Sequence, residues 1–134
     1  MFAIKAEVVD LQAATFAFGE QKTMDGGRHL AKSDLILIFT SENETGPGLV
    51  ASGVASSAGA IPKKPGIVPQ TPRVSITVER LARAKRRLGR NDLKQYCNRD
   101  DGRPESELDF KLYRQATDKI AGISDAAADP RGFF

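Results

Sequence analysis

Five segments of the chain carry the hydrophobic pattern of a β-strand. Phe2, Ile4, Ala6 and Val8 face one way with Lys5 and Glu7 opposite, so 2–9 predicts a half-buried strand. Thr15–Phe18 predicts a short extended piece with Phe16 and Phe18 on one face. Within 34–41, the run Leu35–Phe39 is apolar on both faces, the pattern of a central strand covered on both sides. In 49–57, Val50, Ser52, Val54 and Ser56 share one face and Leu49, Ala51, Gly53 and Ala55 the other. The small residues at 51, 53 and 55 predict a bend, or the close approach of another element. Arg73–Val78 alternates cleanly, with Val74, Ile76 and Val78 inward.

The period then changes. Glu79–Leu88 predicts a helix with a narrow stripe of Leu81, Ala84 and Leu88, stopped by Gly89, and arginines over much of its remaining surface. Glu105–Ala121 is the longest helical pattern. Leu108, Leu112, Ala116 and Ile120 lie along one broad face, extended by Phe110 and Tyr113. Ser124 predicts the cap of a last short helix through Ala128. Met24–Gly27 (M-D-G-G) and 98–104 (N-R-D-D-G-R-P) read as turns, and His29 beside the first as an exposed turn residue. Residues 60–72 hold four prolines and read as an extended crossing loop.

Strands first and helices after argue α+β: a small curved mixed sheet or pseudo-barrel, with a basic helix and a C-terminal helix covering an open end or edge. At 134 residues this is one domain, 1–134, with 60–72 as an internal loop. A chain of this length buries enough surface to fold without a metal or disulfide.

Charge sharpens the picture. The net +3 is unremarkable, but 73–99 holds nine basic and two acidic residues, +7, which leaves −4 elsewhere. Such asymmetry points to an acidic partner, nucleic acid first, or else to a solvated Arg-rich face. The lone cysteine, Cys97, cannot form an internal disulfide and favours a reducing compartment. The N-terminus lacks a signal peptide's pattern, and no apolar run approaches the roughly 20 residues of a membrane helix. The expectation is a soluble cytoplasmic protein.

Recognisable catalysis finds no support. One His and one Cys cannot build a structural zinc site. Cys97 has no nucleophile motif around it, and neither glycine-rich phosphate motif is present. Asp92–Lys94 and Asp109–Lys111 have the D-x-K spacing of metal-dependent nucleases, but they fall on predicted helical segments. No cofactor is expected. Binding chemistry is better represented. The polar loop 41–48 sits between two apolar strands, where scaffolded loops carry function. Glu42 and Glu44 could accept from a base's amino group or simply face solvent. Phe16, Phe18, Phe39 and Tyr96 are aromatic residues on which an extruded base could stack. The alternative for the phenylalanines is ordinary core.

S-D-L-I-L-I-F-T-S-E-N at 33–43 followed by G-L-V-A-S-G-V-A-S at 48–56 resembles the strand pair of PUA-like domains, nearest the EVE and ASCH branches. Ser33–Asp34 stands where those domains often have Gly-Asp, and Gly53–Val54 matches the second half. The resemblance covers about residues 30–57, with the remainder alike only in element order. The tryptophan common near the start of EVE domains is missing, with Phe16 or Phe18 to replace it. The resemblance implies a pseudo-barrel that binds RNA or DNA, enclosing a modified or flipped base. Thr40, Ser41 and Asn43 would then line the pocket, with Glu42 beside them, and Phe16 and Phe18 would stack. Charge placement adds Arg73, Arg80, Arg83 and Arg87 as phosphate contacts. The resulting expectation is a non-catalytic nucleic-acid-binding domain. The rivals are a protein-interaction module docking an acidic partner through the basic helix 79–90 and, behind it, a metal-dependent nuclease or hydrolase.

Overall fold

The computed structural model describes residues 1–8, 10, 12–24, 26–40, 48–61, 66, 73–85, 88–96, 103–113 and 119–124. Six strands, β1 (Phe2–Ala6), β2 (Thr15–Met24), β3 (Leu35–Thr40), β4 (Leu49–Ala60), β5 (Arg73–Arg83) and β6 (Lys119–Gly122), close into a barrel in the order β1-β3-β4-β5-β2-β6. β1 runs parallel to β3 and β2 parallel to β6, and the other neighbours are antiparallel. Closure gives every strand two neighbours, the arrangement that protects small β-proteins from pairing with other chains.

The alternation read from the sequence determines what fills the barrel. Ile4, Ala6, Phe16, Phe18, Ile36, Ile38, Ala51, Ala55, Val74, Ile76, Val78 and Ile120 form one buried cluster. On β4 Ala51 and Ala55 turn inward, while beside the register shift at Ile38/Phe39 Val50 joins this cluster and Leu49 a second, outer one. A methyl group on Gly53 would lie 2.5 Å from Val78 Cγ1 and 2.6 Å from the Glu79 carbonyl oxygen, so the close approach falls at the glycine.

β3 is covered on both sides. Its outward residues Leu37 and Phe39 join Ala3, Leu49, Leu93, Leu108, Leu112 and Tyr113 in a second core beneath a helical layer. That layer consists of α1 (Arg90–Leu93), continued by a 3-10 turn, and α2 (Pro104–Leu108), continued by a π-helical turn at Asp109–Tyr113. The Phe39 and Tyr113 rings meet edge to face at 6.4 Å. The same layer covers the outer face of β1, which the alternation would leave to solvent. Lys5 is buried there with its Nζ 5.5 Å from the Tyr113 ring centre, directly paired with the buried Lys119 of β6.

Two expected helices are corrected. The predicted basic helix 79–88 does not form, because β5 runs on to Arg83. The helix-favouring residues of this stretch yield to β4, which pairs with β5 from Ala60↔Val74 to Ala51↔Arg83. Gly89 ends no helix. It precedes α1, its N–H donating to Asp92 Oδ2 at 2.8 Å. The predicted helix 105–121 is helical only through Tyr113 among the described residues. Ile120 instead occupies β6, between β1 and β2, where it closes the barrel. Thr15–Phe18 is the start of a strand that reaches Met24. The expected cap at Ser124 bears on a helix outside the described residues, as does Cys97.

Glu107 clamps the end of β6 to α2. Its carboxylate accepts from the Ser124 hydroxyl at 2.6 Å, the Ser124 N–H at 2.7 Å and Lys111 Nζ at 3.1 Å, while Lys111 also donates to the Gly122 carbonyl at 2.8 Å. Partial burial works to raise the Glu107 pKa. The Ser124 and Lys111 contacts outweigh it, and the carboxyl titrates below its ordinary value.

Candidate nucleic-acid interface

Register and strand direction decide which candidate residues share one end of the barrel. β1, β3 and β5 end where β2 and β4 begin. Call this end the mouth. The β1–β2 connection, the β3–β4 connection and the chain leaving β5 all emerge there. Phe16, Thr40, Arg80 and Arg83 therefore lie at the mouth. Arg73 opens β5 at the opposite end, roughly 23 Å from Arg80 at a strand's rise per residue. There its Nη1 donates to the Glu20 carbonyl at 3.0 Å. Of the arginines expected to act together, Arg73 does not share a patch with Arg80 and Arg83.

The root of the β3–β4 connection is tightly held. Thr40 N–H donates to the Gly48 carbonyl at 2.8 Å, and Gly48 N–H donates back to Thr40 Oγ1 at 3.2 Å. Thr40 is buried, so its hydroxyl serves this closure. Gly48 has φ +71°, and a side chain there would meet the Leu88 carbonyl and Gly89 Cα. It forms a parallel bridge with Leu88, and Leu49 N–H donates to the Leu88 carbonyl at 3.1 Å. The polar loop thus springs from the residue that touches the end of the basic stretch. Ser41, Glu42 and Asn43, with Glu44 and Arg87, lie outside the described residues.

Phe16 and Phe18 stack on one another, ring centres 6.2 Å apart and planes 7° apart, and each is 6% exposed. They fill the barrel, Phe16 opposite Val78 toward the mouth and Phe18 opposite Ile76 one layer deeper.

Arg80 and Arg83 converge on the β1–β2 connection. Arg80 Nη1 donates to the carbonyls of Gln12 and Ala13, both at 2.9 Å, and its backbone N–H donates to the Ala14 carbonyl at 2.9 Å. Arg83 Nη1 donates to Gln12 Oε1 at 2.6 Å. Sequence reasoning missed Gln12 altogether. The available signal was Asp10 two residues earlier, the spacing of an Asx turn, and Gln12 N–H does donate to Asp10 Oδ1 at 2.9 Å.

Among the described residues no three His, Cys, Asp or Glu side chains group to hold a metal ion. Of the two D-x-K pairs, Asp92 accepts the Gly89 N–H and Asp109 is buried under the helical layer. His29 is exposed in the 3-10 turn Gly27–His29. No helix among the described residues is long and apolar enough to cross a membrane.

No family model matches the chain, and no curated protein matches it in sequence. Among solved structures it is similar to the DUF55 domain of human thymocyte nuclear protein 1. The TM-score is 0.53 and the identity 16%, over 96% of this chain and 94% of that one. At that identity the likeness speaks for the fold alone. With its closed mixed barrel, the chain has the PUA-like fold of DUF55 domains.

Proposed function

We propose that this protein is a non-catalytic nucleic-acid-binding domain that takes a single-stranded or extruded base at the barrel mouth. The observation that carries the reading is the Gly48–Leu88 bridge, which roots the polar loop against the end of the basic stretch. In this reading Ser41, Glu42 and Asn43 read the base edge, and Thr40 fixes the loop's root. Phe16 and Phe18 form the aromatic floor beneath the mouth. Arg83 and Arg87 hold phosphates there, Arg80 braces the β1–β2 connection, and Arg73 serves only a strand long enough to reach the far end. The fold likeness supports the reading, because PUA-like domains commonly bind nucleic acid. The name of the similar domain assigns no ligand.

Titrating labelled RNA and DNA oligonucleotides at rising salt tests it. Binding should weaken steeply as counterions lose their advantage. Undetectable binding at low salt would sink the reading. Asn43→Ala should change which base is preferred, whereas charge removal should weaken all sequences alike.

One observation favours a second reading, a protein-interaction module. Outside β3–β5, Met1, Leu35, Leu37, Ser52 and Leu81 line an apolar groove of about 240 Å³, with Leu81 61% exposed. A partner captured after nuclease treatment and lost in Leu81→Glu, with no oligonucleotide binding, would favour it.

A further inference from the structure

Gln12 is exposed at the mouth and held at three atoms. Its backbone N–H is taken by Asp10 Oδ1, its carbonyl by Arg80 and its side-chain Oε1 by Arg83. Ala13 N–H closes the turn onto the Asp10 carbonyl at 3.3 Å, and Arg80 N–H holds the Ala14 carbonyl. A guanidinium only donates, so the Gln12 atom that meets it must be the oxygen. That orients the amide: Nε2 carries two N–H donors and makes no hydrogen bond among the described residues. Arg83 spends one of its five donors on Gln12, and both side chains are exposed.

Among the described residues, two neighbouring groups therefore offer free N–H donors, on a connection held from both sides. The nearest acid along the chain, Asp10, turns Oδ1 to the backbone. A ligand atom suited to this pair accepts several hydrogen bonds, donates none and carries negative charge. A phosphodiester oxygen meets all three conditions. We infer that Gln12 and Arg83 form a donor-only pair that holds one phosphodiester oxygen of a strand entering the barrel mouth. The inference rests on the nucleic-acid reading above and names its phosphate anchor. Arg83 supplies charge and Gln12 direction, with Arg80 the positioning residue that sets where Gln12 stands.

The test uses the full chain and fluorescently labelled eight-nucleotide single strands of A, C or U, read by anisotropy across a salt series. Arg83→Ala should weaken binding and flatten the log–log salt slope by about 0.7, the share of one phosphate contact on a single strand. Gln12→Ala should weaken binding roughly tenfold, the size of one hydrogen bond to a charged group, equally on all three sequences and with the slope unchanged. Gln12→Glu should weaken it further, because a carboxylate neutralises Arg83 and repels phosphate. Unchanged circular dichroism melts for the exposed Gln12 variants make the comparison one of binding. If the unmodified protein binds these strands and Gln12→Ala binds as well as it does, the inference falls and the mouth reading stands. Loss on one sequence only would assign Gln12 to base readout and equally overturn it. If the unmodified protein binds none of these strands nor their DNA counterparts, the nucleic-acid reading falls and the pair falls with it.

Discussion

Gly48 and Leu88 lie side by side as a parallel bridge, joining the connection after β3 to the chain that leaves β5. Forty residues separate them in sequence, yet Gly48 sits so close that only hydrogen fits in place of a side chain. Its φ of +71° adds a second demand for glycine. Gly48→Ala should therefore lose about 3 kcal/mol, combining left-handed strain with overlap against backbone that cannot yield. Urea denaturation measures it. A loss under 1 kcal/mol would mean that the two segments can part cheaply.

The two glycines of β4 separate packing from backbone entropy. Gly53→Ala drives a methyl group toward the Glu79 carbonyl and Val78, and should cost about 1–3 kcal/mol. Gly59 lies on the same strand with nothing within 4 Å of a new methyl group, so Gly59→Ala should be neutral or stabilising by up to about 1 kcal/mol. Equal effects at the two sites in thermal melts would contradict the tight crossing of β4 and β5.

Arg80 and Arg83 should differ in what truncation costs. Arg80→Ala removes two hydrogen bonds to the β1–β2 connection and should lower stability by about 1 kcal/mol. Arg83 is exposed and meets a side chain that water can replace, so Arg83→Ala should change stability by less than about 0.5 kcal/mol. Chemical denaturation of both variants decides it, and a larger loss at Arg83 would reverse their roles.

The Glu107 clamp predicts a pH dependence with a definite sign. The folded carboxyl titrates below its ordinary value of 4.5, so its contribution is complete above that value. It disappears as pH falls through the lowered folded value. Glu107→Gln should cost about 1 kcal/mol at neutral pH, and its melting curve should converge on the parent's once the pH has fallen below the lowered folded value. A gap that persists into strong acid would show that the carboxylate's charge is not what holds Ser124.

The barrel strands were legible because a period of two needs only one solvated face or one consistent core. Val74, Ile76 and Val78 point where alternation says they must, whereas the apolar run Leu35–Phe39 left open which residues fill the barrel. The candidate site was legible only in pieces. The polar loop after Thr40 and the arginines were visible, but their joint placement depends on which strands pair and in what register. Arg73 and Arg83 look equivalent in the sequence and lie at opposite ends of one strand. Gln12 carries no charge or motif and became visible only through the guanidinium that meets it.

A resemblance over residues 30–57 pointed to the PUA-like arrangement; by its own pattern the sequence determined five of the six strands, most residues that fill the barrel, and a bend or close approach at the small residues of β4. Local hydrophobic pattern encodes these, since each residue's burial follows from its own neighbours. The tertiary structure alone decided that Glu79–Arg83 is strand and that Ile120 closes the barrel. It also decided that the helical layer buries Lys5 and that the polar loop meets the basic stretch at Gly48 and Leu88. In each case a long-range partner outweighs local propensity: an unpaired strand edge or an exposed apolar face costs more than a helix-favouring residue gains from its own turn.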